Sequence, residues 1–245
     1  MSTGILGHDP RLPLYQQLRE EMLAKIAEGH WLPGAPIPTE TELTRLYGVA
    51  IGTVRKAVDT LVNEGLLLRS QGRGTFVRRP NFDASLFRFF RQVDAKGQRL
   101  VPTSRIIGKQ LRVPTAEIAE ALSLDGEEKA IRLERLRLIE GRPLFHEEIW
   151  LPASRFMALL DIDADAFGDL LYPFYESQCG QCVASARETL TVGVADSACA
   201  QHLAIGPGAP VVVIQRTAQG YDRKPMEYRV SRAAAEGFRY QIDIS

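Results

Sequence analysis

Residues 45–67 read RLYGVAIGTVRKAVDTLVNEGLL, and the fold turns on how this stretch is read. Val54, Ala57, Val58, Leu61 and Val62 fall at i, i+3, i+4, i+7 and i+8, the spacing of a helix face packed on a core. Asn63-Glu64-Gly65 is placed to end that helix. Just ahead, Gly48 closes a shorter helix begun by Thr39, which forms a capping box with Glu42. Leu43 and Leu46 are expected to point inward from it. Further upstream, LYQQLREEMLAKIAEG carries Tyr15, Leu18, Met22 and Ile26 on one stripe, with Gly29 to stop it. The prolines of WLPGAPIPTE make that run a connector. Downstream, LLLRSQGRGTFVRR is two strand-like runs around a Gly-rich turn, hence a β-hairpin. Three helices, the last two joined by a tight turn, and then a hairpin make a winged helix-turn-helix over residues 1–79.

The whole chain of 245 residues suits two modest domains, and its 45% apolar and 24% charged content is that of an ordinary globular protein. Thirty Lys plus Arg balance thirty Asp plus Glu, so bulk charge attracts neither nucleic acid nor membrane, and any polyanion must meet a local basic surface. No apolar run reaches the length of a membrane span. The N-terminus lacks the form of a signal peptide, and three cysteines is an odd count, so a reducing cytoplasm is expected.

Such a local surface is present. Arg69, Arg73, Arg78 and Arg79 follow Leu66 with no acid among them, and Arg55 and Lys56 lie on the polar face of the third helix. Gly72 and Gly74 flank Arg73 and let the hairpin tip approach phosphates or enter a minor groove. One such charge alone is ordinary surface, whereas helix, turn, helix and basic wing in one continuous segment point to DNA.

At this point the sequence resembles a known family. Nearly all of residues 12–79 is similar to the winged-helix domain of the GntR transcriptional regulators, most specifically in PGAPIPTETEL, TVRKAV, LVNEGLL and GRGTFV. The resemblance implies a bacterial regulator that binds double-stranded operator DNA as a homodimer, with the third helix in the major groove and the wing at the minor groove. Thr53, Arg55, Gly72, Arg73 and Gly74 carry over as DNA-contacting positions. Lys56 is added from its place on the helix, and Thr39, Arg45 and Arg69 complete the expected set. Two departures stand out: Thr39-Glu40-Thr41 replaces a common Ser-Glu-Arg, and Ala50-Ile51 replaces Ser-Arg or Thr-Arg. Arginine bidentate to guanine is the commonest specific major-groove contact, so the operator is not to be copied from relatives. Ile51 is instead expected at a thymine methyl, with Gly52 letting the helix sit closer to the backbone.

After a linker over 80–102, strand-like runs alternate with short helices through 103–245. Helices are expected near 153–160 and 166–177, and FRYQIDI reads as a closing strand-like run. The Gly141-Arg142-Pro143 turn joins neighbouring strands, which gives an α+β domain: an antiparallel sheet with helices on one side. Alternation puts Ile131, Leu133, Arg135, Arg137 and Ile139 on one strand face, Phe145, Glu147, Ile149 and Leu151 on another, and Ala186, Glu188, Leu190 and Val192 on a third. Charges among inward aliphatics are either internal ion pairs or a pocket for a polar ligand.

This part resembles the UTRA effector domain of the HutC-type branch, whose fold is similar to chorismate lyase, through IRLERLRLIEGRPLFHEEIWLP, FGDLLYPFYE, ARETLTV, GAPVVVIQRTA and KPMEYRVSR. By that likeness Arg135, Arg137, Glu147, Tyr172 and Glu227 fall at effector-contacting positions. Leu170 and Ala233 stand where relatives often carry hydroxyl side chains, which suits a sugar phosphate less well. Two arginines favour a carboxylate or phosphate on the ligand.

Two other readings compete. Cys179-x-x-Cys182 followed by Cys199-x-x-His202 has the arithmetic of a zinc site, but the intervening VASARETLTV reads as one unbroken strand that would hold the pairs apart. No metal and no cofactor are therefore expected. A lyase-like enzyme fused to a DNA-binding domain is the alternative function, yet His8, His30, His146 and His202 are scattered and no catalytic set is suggested. The reading is a regulator, by expectation a repressor, under the control of a small anionic effector.

Overall fold

The computed structural model describes residues 11–79, 102–236 and 238, which divide between two compact units. Most of the expected linker and the closing FRYQIDI run lie outside the described residues.

In the first unit, helix α1 (Leu14–Ala27) buries Leu18, Met22, Leu23 and Ile26, and Gly29 leaves it at φ +77°. Helix α2 (Glu40–Tyr47) starts at the expected capping box: Thr39 Oγ accepts the Glu42 N–H, and the Glu42 carboxylate accepts the Thr39 N–H at 2.7 Å. Its core residues are Leu43 and Tyr47, whereas Leu46 is exposed. The i, i+4 pair on this two-turn helix meets the core, and Leu46 falls to the side. Helix α3 (Ile51–Asn63) buries Val54, Ala57, Val58 and Leu61, whereas Val62, expected on the same face, is half-buried at the rim of the stripe. Arg19 of α1, itself buried, grips the Glu64 carboxylate with Nε at 2.9 Å and Nη2 at 2.8 Å, tying α1 to the end of α3. The wing is β1 (Leu67–Ser70) paired antiparallel with β2 (Gly74–Val77). The proline-rich connector adds to it, since Ile37 N–H donates to the Thr75 carbonyl at 2.9 Å and Pro36 bridges Phe76.

The second unit carries, among the described residues, a six-stranded sheet ordered β3-β4-β5-β8-β7-β6. Its strands are β3 (Thr103–Arg112), β4 (Ala130–Ile139), β5 (Arg142–Pro152), β6 (Val183–Val194), β7 (Pro210–Gly220) and β8 (Pro225–Ala234). The pairs β3–β4, β4–β5, β5–β8 and β8–β7 are antiparallel. The β4–β5 turn is Glu140-Gly141, both at positive φ, while Arg142 and Pro143 are already in β5. Two residues with positive φ match the twist of flanking strands, which moves the turn one residue back from its expected place.

Helices cover both faces of the sheet rather than one. On one face lie α5 (Ala153–Phe156), a 3-10 turn Met157–Leu160 and α6 (Leu171–Cys179), packing Phe156, Leu159, Leu171 and Tyr175 on Ile131, Leu133, Ile149 and Leu151. On the other lie α4 (Ala116–Leu122), over Trp150, Tyr228 and Val230, and α7 (Ser197–Leu203), over Val211. The helix expected over 166–177 is α6, displaced toward the C-terminus, with Pro173 tolerated in its first turn and Gly180 capping it at φ +64°. Short helices on opposite faces were hidden because strand alternation alone does not say which loop crosses which face.

Candidate DNA interface and effector site

On the first unit, Ala50 caps α3 without a side-chain hydrogen bond, and Ile51 begins the helix exposed. A Cβ on Gly52 would meet nothing within 4 Å, so this end of the helix is open. Thr53 is half-buried one residue further in. Arg55 and Arg69 converge on one carboxylate from α2: Glu40 accepts from Arg55 Nε at 3.1 Å and from Arg69 Nη2 at 3.0 Å. Asp59 takes Arg69 Nη1 at 2.7 Å. The basic surface thus carries acids that the local sequence around the wing does not display, and phosphates would have to displace Glu40. Lys56 sits with Nζ 3.9 Å above the Tyr15 ring, toward α1. Arg73 lies at the exposed wing tip between Gly72 (φ +71°) and Gly74 (φ +111°), its guanidinium 5.9 Å from the Phe76 ring centre. Thr39 is occupied with Glu42, and its hydrogen bonds hold the Glu42 carboxyl below the usual range. Arg45 is exposed in the last turn of α2.

The second constellation lies on the α6 side of the large sheet. Arg135 and Arg137 of β4 are each 1% exposed. Arg135 Nε donates to Glu147 Oε2 at 2.6 Å, and Ser231 donates to Glu147 Oε1 at 3.0 Å. Arg137 Nη1 donates to Ser104 Oγ at 2.9 Å and to the Asp169 carbonyl at 2.5 Å. Glu227 accepts from Tyr172 at 3.1 Å, Tyr175 at 2.8 Å and Arg229 Nη2 at 2.7 Å. Arg216 Nε donates to Glu188 at 2.6 Å, and its Nη1 donates to the Tyr172 hydroxyl at 3.2 Å. The structure therefore links Arg135, Glu147, Tyr172 and Glu227 through Arg229, while Arg137 lies beside them and acts on Glu147 by its charge.

Five further members were not foreseen as site residues: Arg216, Arg229, Tyr175, Ser231 and Glu188. The alternation that exposes Arg135 and Glu147 also runs through VVVIQRTAQ and MEYRVSR, where Arg216 and Arg229 share the inward face with Ile214 and Ala218, and with Glu227 and Ser231. Ala233 faces the same way, packed with Phe145 and Ile214. Of the third expected face, Glu188 meets Arg216, but Leu190 and Val192 are exposed on the end strand β6 instead of inward.

Charge dominates the chemistry of this network. Burial pushes the Glu147 carboxyl up, yet Arg135, Arg229 and Arg137 outweigh it and hold it at about 2. Burial and the adjacent Arg135 bring Arg137 down to about 10. Tyr172 and Tyr175 are raised by burial and by Glu227, so both are neutral donors. Four arginines (135, 137, 216, 229) face Glu147, Glu188 and Glu227, and the Asp169 carboxylate acts on Arg137 as the fourth negative charge, so the cluster is balanced. Arg135 Nη1 and Arg229 Nε are buried with no hydrogen-bond partner. Buried donors without acceptors are costly, and an anion supplies the missing acceptors.

Cys179 ends α6 and Cys182 immediately precedes β6, whereas Cys199 is buried in α7 beyond it, and the metal-capable set among the described residues includes none of the three. No helix among the described residues is long and apolar enough to cross a membrane.

Comparison with known proteins gives consistent results. The family described as "Bacterial regulatory proteins, gntR family" matches residues 14–77, and the UTRA domain matches residues 97–239. The chain is 31% identical, over 94% of its length and 93% of the relative's, to the HTH-type transcriptional repressor NagR of Bacillus subtilis (strain 168). It is 29% identical to the HTH-type transcriptional regulator GgaR of Escherichia coli (strain K12), covering 96% and 92% of the two chains. Among solved structures it resembles the ligand-binding domain of a GntR-family transcriptional regulator from Bordetella bronchiseptica, with TM-score 0.57, 27% identity, and 64% of this chain and 98% of that one covered. In fold it also resembles PhnF from Mycobacterium smegmatis, with TM-score 0.54, 23% identity, and 92% and 98% covered.

Proposed function

Because the chain belongs to the GntR family of bacterial regulatory proteins, we propose that an anionic metabolite in the arginine network of its UTRA domain controls its hold on operator DNA. The protein is a DNA-binding transcriptional regulator with an effector-binding domain, and not an enzyme. The observation that carries the finer reading is the buried cluster of arginines with two partnerless N–H donors, on Arg135 and Arg229. The ligand is a phosphate or carboxylate, bound by Arg135, Arg137, Arg216 and Arg229 and oriented by Tyr172, Glu147 and Glu227. The internal ion pairs hold the arginines in place in its absence.

The DNA surface of this reading comprises Thr39, Arg45, Thr53, Arg55, Lys56, Arg69, Gly72, Arg73 and Gly74. Phosphates take Arg55 and Arg69 from Glu40, and the wing tip at Arg73 reaches the minor groove. A cytoplasmic homodimer presents two such surfaces to a near-palindromic site. The exposed row Leu190, Val192 (76%) and Val194 (71%) on the end strand β6 supports a second copy at that edge. By the example of its relative, the chain acts as a repressor. Effector releases DNA only if it binds more tightly to a dimer geometry that mismatches the half-sites.

The test pairs two variants on an operator obtained by selection from random DNA. Arg55→Ala should lose DNA binding yet keep thermal stabilisation by effector anions. Arg137→Met should keep DNA binding and lose the effector response. If Arg137→Met still responds, the network is not the effector site.

A further inference from the structure

On the sheet face opposite the arginine network, we propose that Glu134, His146 and His202 form a binding site for a divalent first-row transition metal such as zinc. Three elements contribute one ligand each: β4, β5 and the last turn of α7. One nitrogen from each imidazole and one Glu134 carboxylate oxygen lie within 4.8 Å of one another. His146 Nε2 is 2.7 Å and His202 Nε2 3.5 Å from the same oxygen, Glu134 Oε1. The two rings stack with centres 4.7 Å apart at 27°. Two imidazoles and a carboxylate are a donor set of zinc and its neighbours, and leave a fourth position for water.

The surroundings favour that use. Register sets Leu136 opposite His146 and Glu134 opposite Glu148, so Glu134 is the diagonal neighbour of His146 across the β4–β5 pair. Gly108 of β3 lies opposite Glu134, and a Cβ there would come within 3.3 Å of Glu134 Oε2, so the glycine leaves space for the carboxylate. Arg132 Nη1 draws the far oxygen, Oε2, at 3.4 Å and so turns Oε1 toward the histidines. An outer partner of this kind orients a ligating carboxylate. His146 is nearly buried, with 6% of its side chain exposed, whereas His202 has 33% exposed and gives solvent and metal a way in. The other charges on this face are Glu148, held by Arg132 at 2.5 Å, and Arg232, opposite His146 on β8. Arg132 and Arg232 oppose a cation, and Glu134 and Glu148 balance them. The ion would fasten α7 to two central strands, one residue away from Glu147 of the arginine network. None of this depends on the cysteines, nor on the effector reading.

The test uses full-length protein, stripped with chelator and titrated calorimetrically with Zn²⁺, and with Co²⁺ in the visible spectrum. One equivalent per chain should bind, with cobalt bands of four or five coordination and no thiolate charge-transfer band in the near ultraviolet. His202→Gln and Glu134→Gln should each weaken binding more than about tenfold. His202 is partly exposed, so its variant should unfold at the temperature of the metal-free parent. Absence of saturable binding, unchanged affinity in both variants, or thiolate bands abolished by Cys179→Ser would each overturn the assignment.

Discussion

Arg55 and Glu147 show how differently a charged residue can act at two exposures. Arg55 is on the surface, and its pair with Glu40 holds the guanidinium in place at little net gain in stability. Arg55→Ala should therefore leave stability nearly unchanged while weakening binding to all DNA sequences, and should lower the slope of log K against log salt by about one. Titrations at several salt concentrations measure this. Glu147 is buried among arginines, and its isosteric loss in Glu147→Gln leaves Arg135 and Arg229 uncompensated at a cost of about 3–5 kcal/mol. Because its carboxyl is depressed from 4.5 to about 2, that contribution is full above pH 4.5 and disappears as pH falls toward 2. Denaturant unfolding should show wild type and Glu147→Gln far apart at neutral pH and converging in acid. At the open end of α3, Ile51→Arg should change base preference in a selection, because the variant restores a guanine-reading side chain where an exposed isoleucine now stands. An unchanged preference would remove Ile51 from the readout.

At the scale of elements, most of the winged helix was legible because its signals are local. The capping box of α2, the stripe of α3 and the glycines of the wing all appear where their spacing requires. Leu61→Ala, at the centre of the α3 stripe, should cost about 2–5 kcal/mol in an unfolding titration, since the cavity is closed on all sides. What escaped the sequence is what depends on which neighbour an element meets. Tyr47 rather than Leu46 entered the core because α2 is too short to bury both sides. In the sheet, inward Arg135, Arg137 and Glu147 were legible from alternation, and Arg216 and Arg229 carry the same pattern on β7 and β8. Their meeting required the order β5-β8-β7, which no local pattern encodes. His202 could not be joined to His146 and Glu134 from spacing alone, since the docking of a seven-residue helix brings it there.

For the whole molecule, zero net charge leaves two concentrations of arginine: a surface where Glu40 holds Arg55 and Arg69, and a buried network with two partnerless N–H donors. The exposed Val192 and Val194 on the end strand belong to this scale as well, as the surface at which the proposed second copy would meet the chain. Val192→Glu should shift sedimentation toward monomer and weaken operator binding, while leaving each chain folded. The central claim is that the arginine network receives an anion. Thermal unfolding of the purified protein against matched sets of phosphorylated, carboxylated and neutral metabolites tests it most directly. Some anions, and no neutral counterparts, should raise the unfolding temperature, and Arg137→Met should abolish the rise. Stabilisation by neutral compounds alone, or a rise that survives in Arg137→Met, would contradict it.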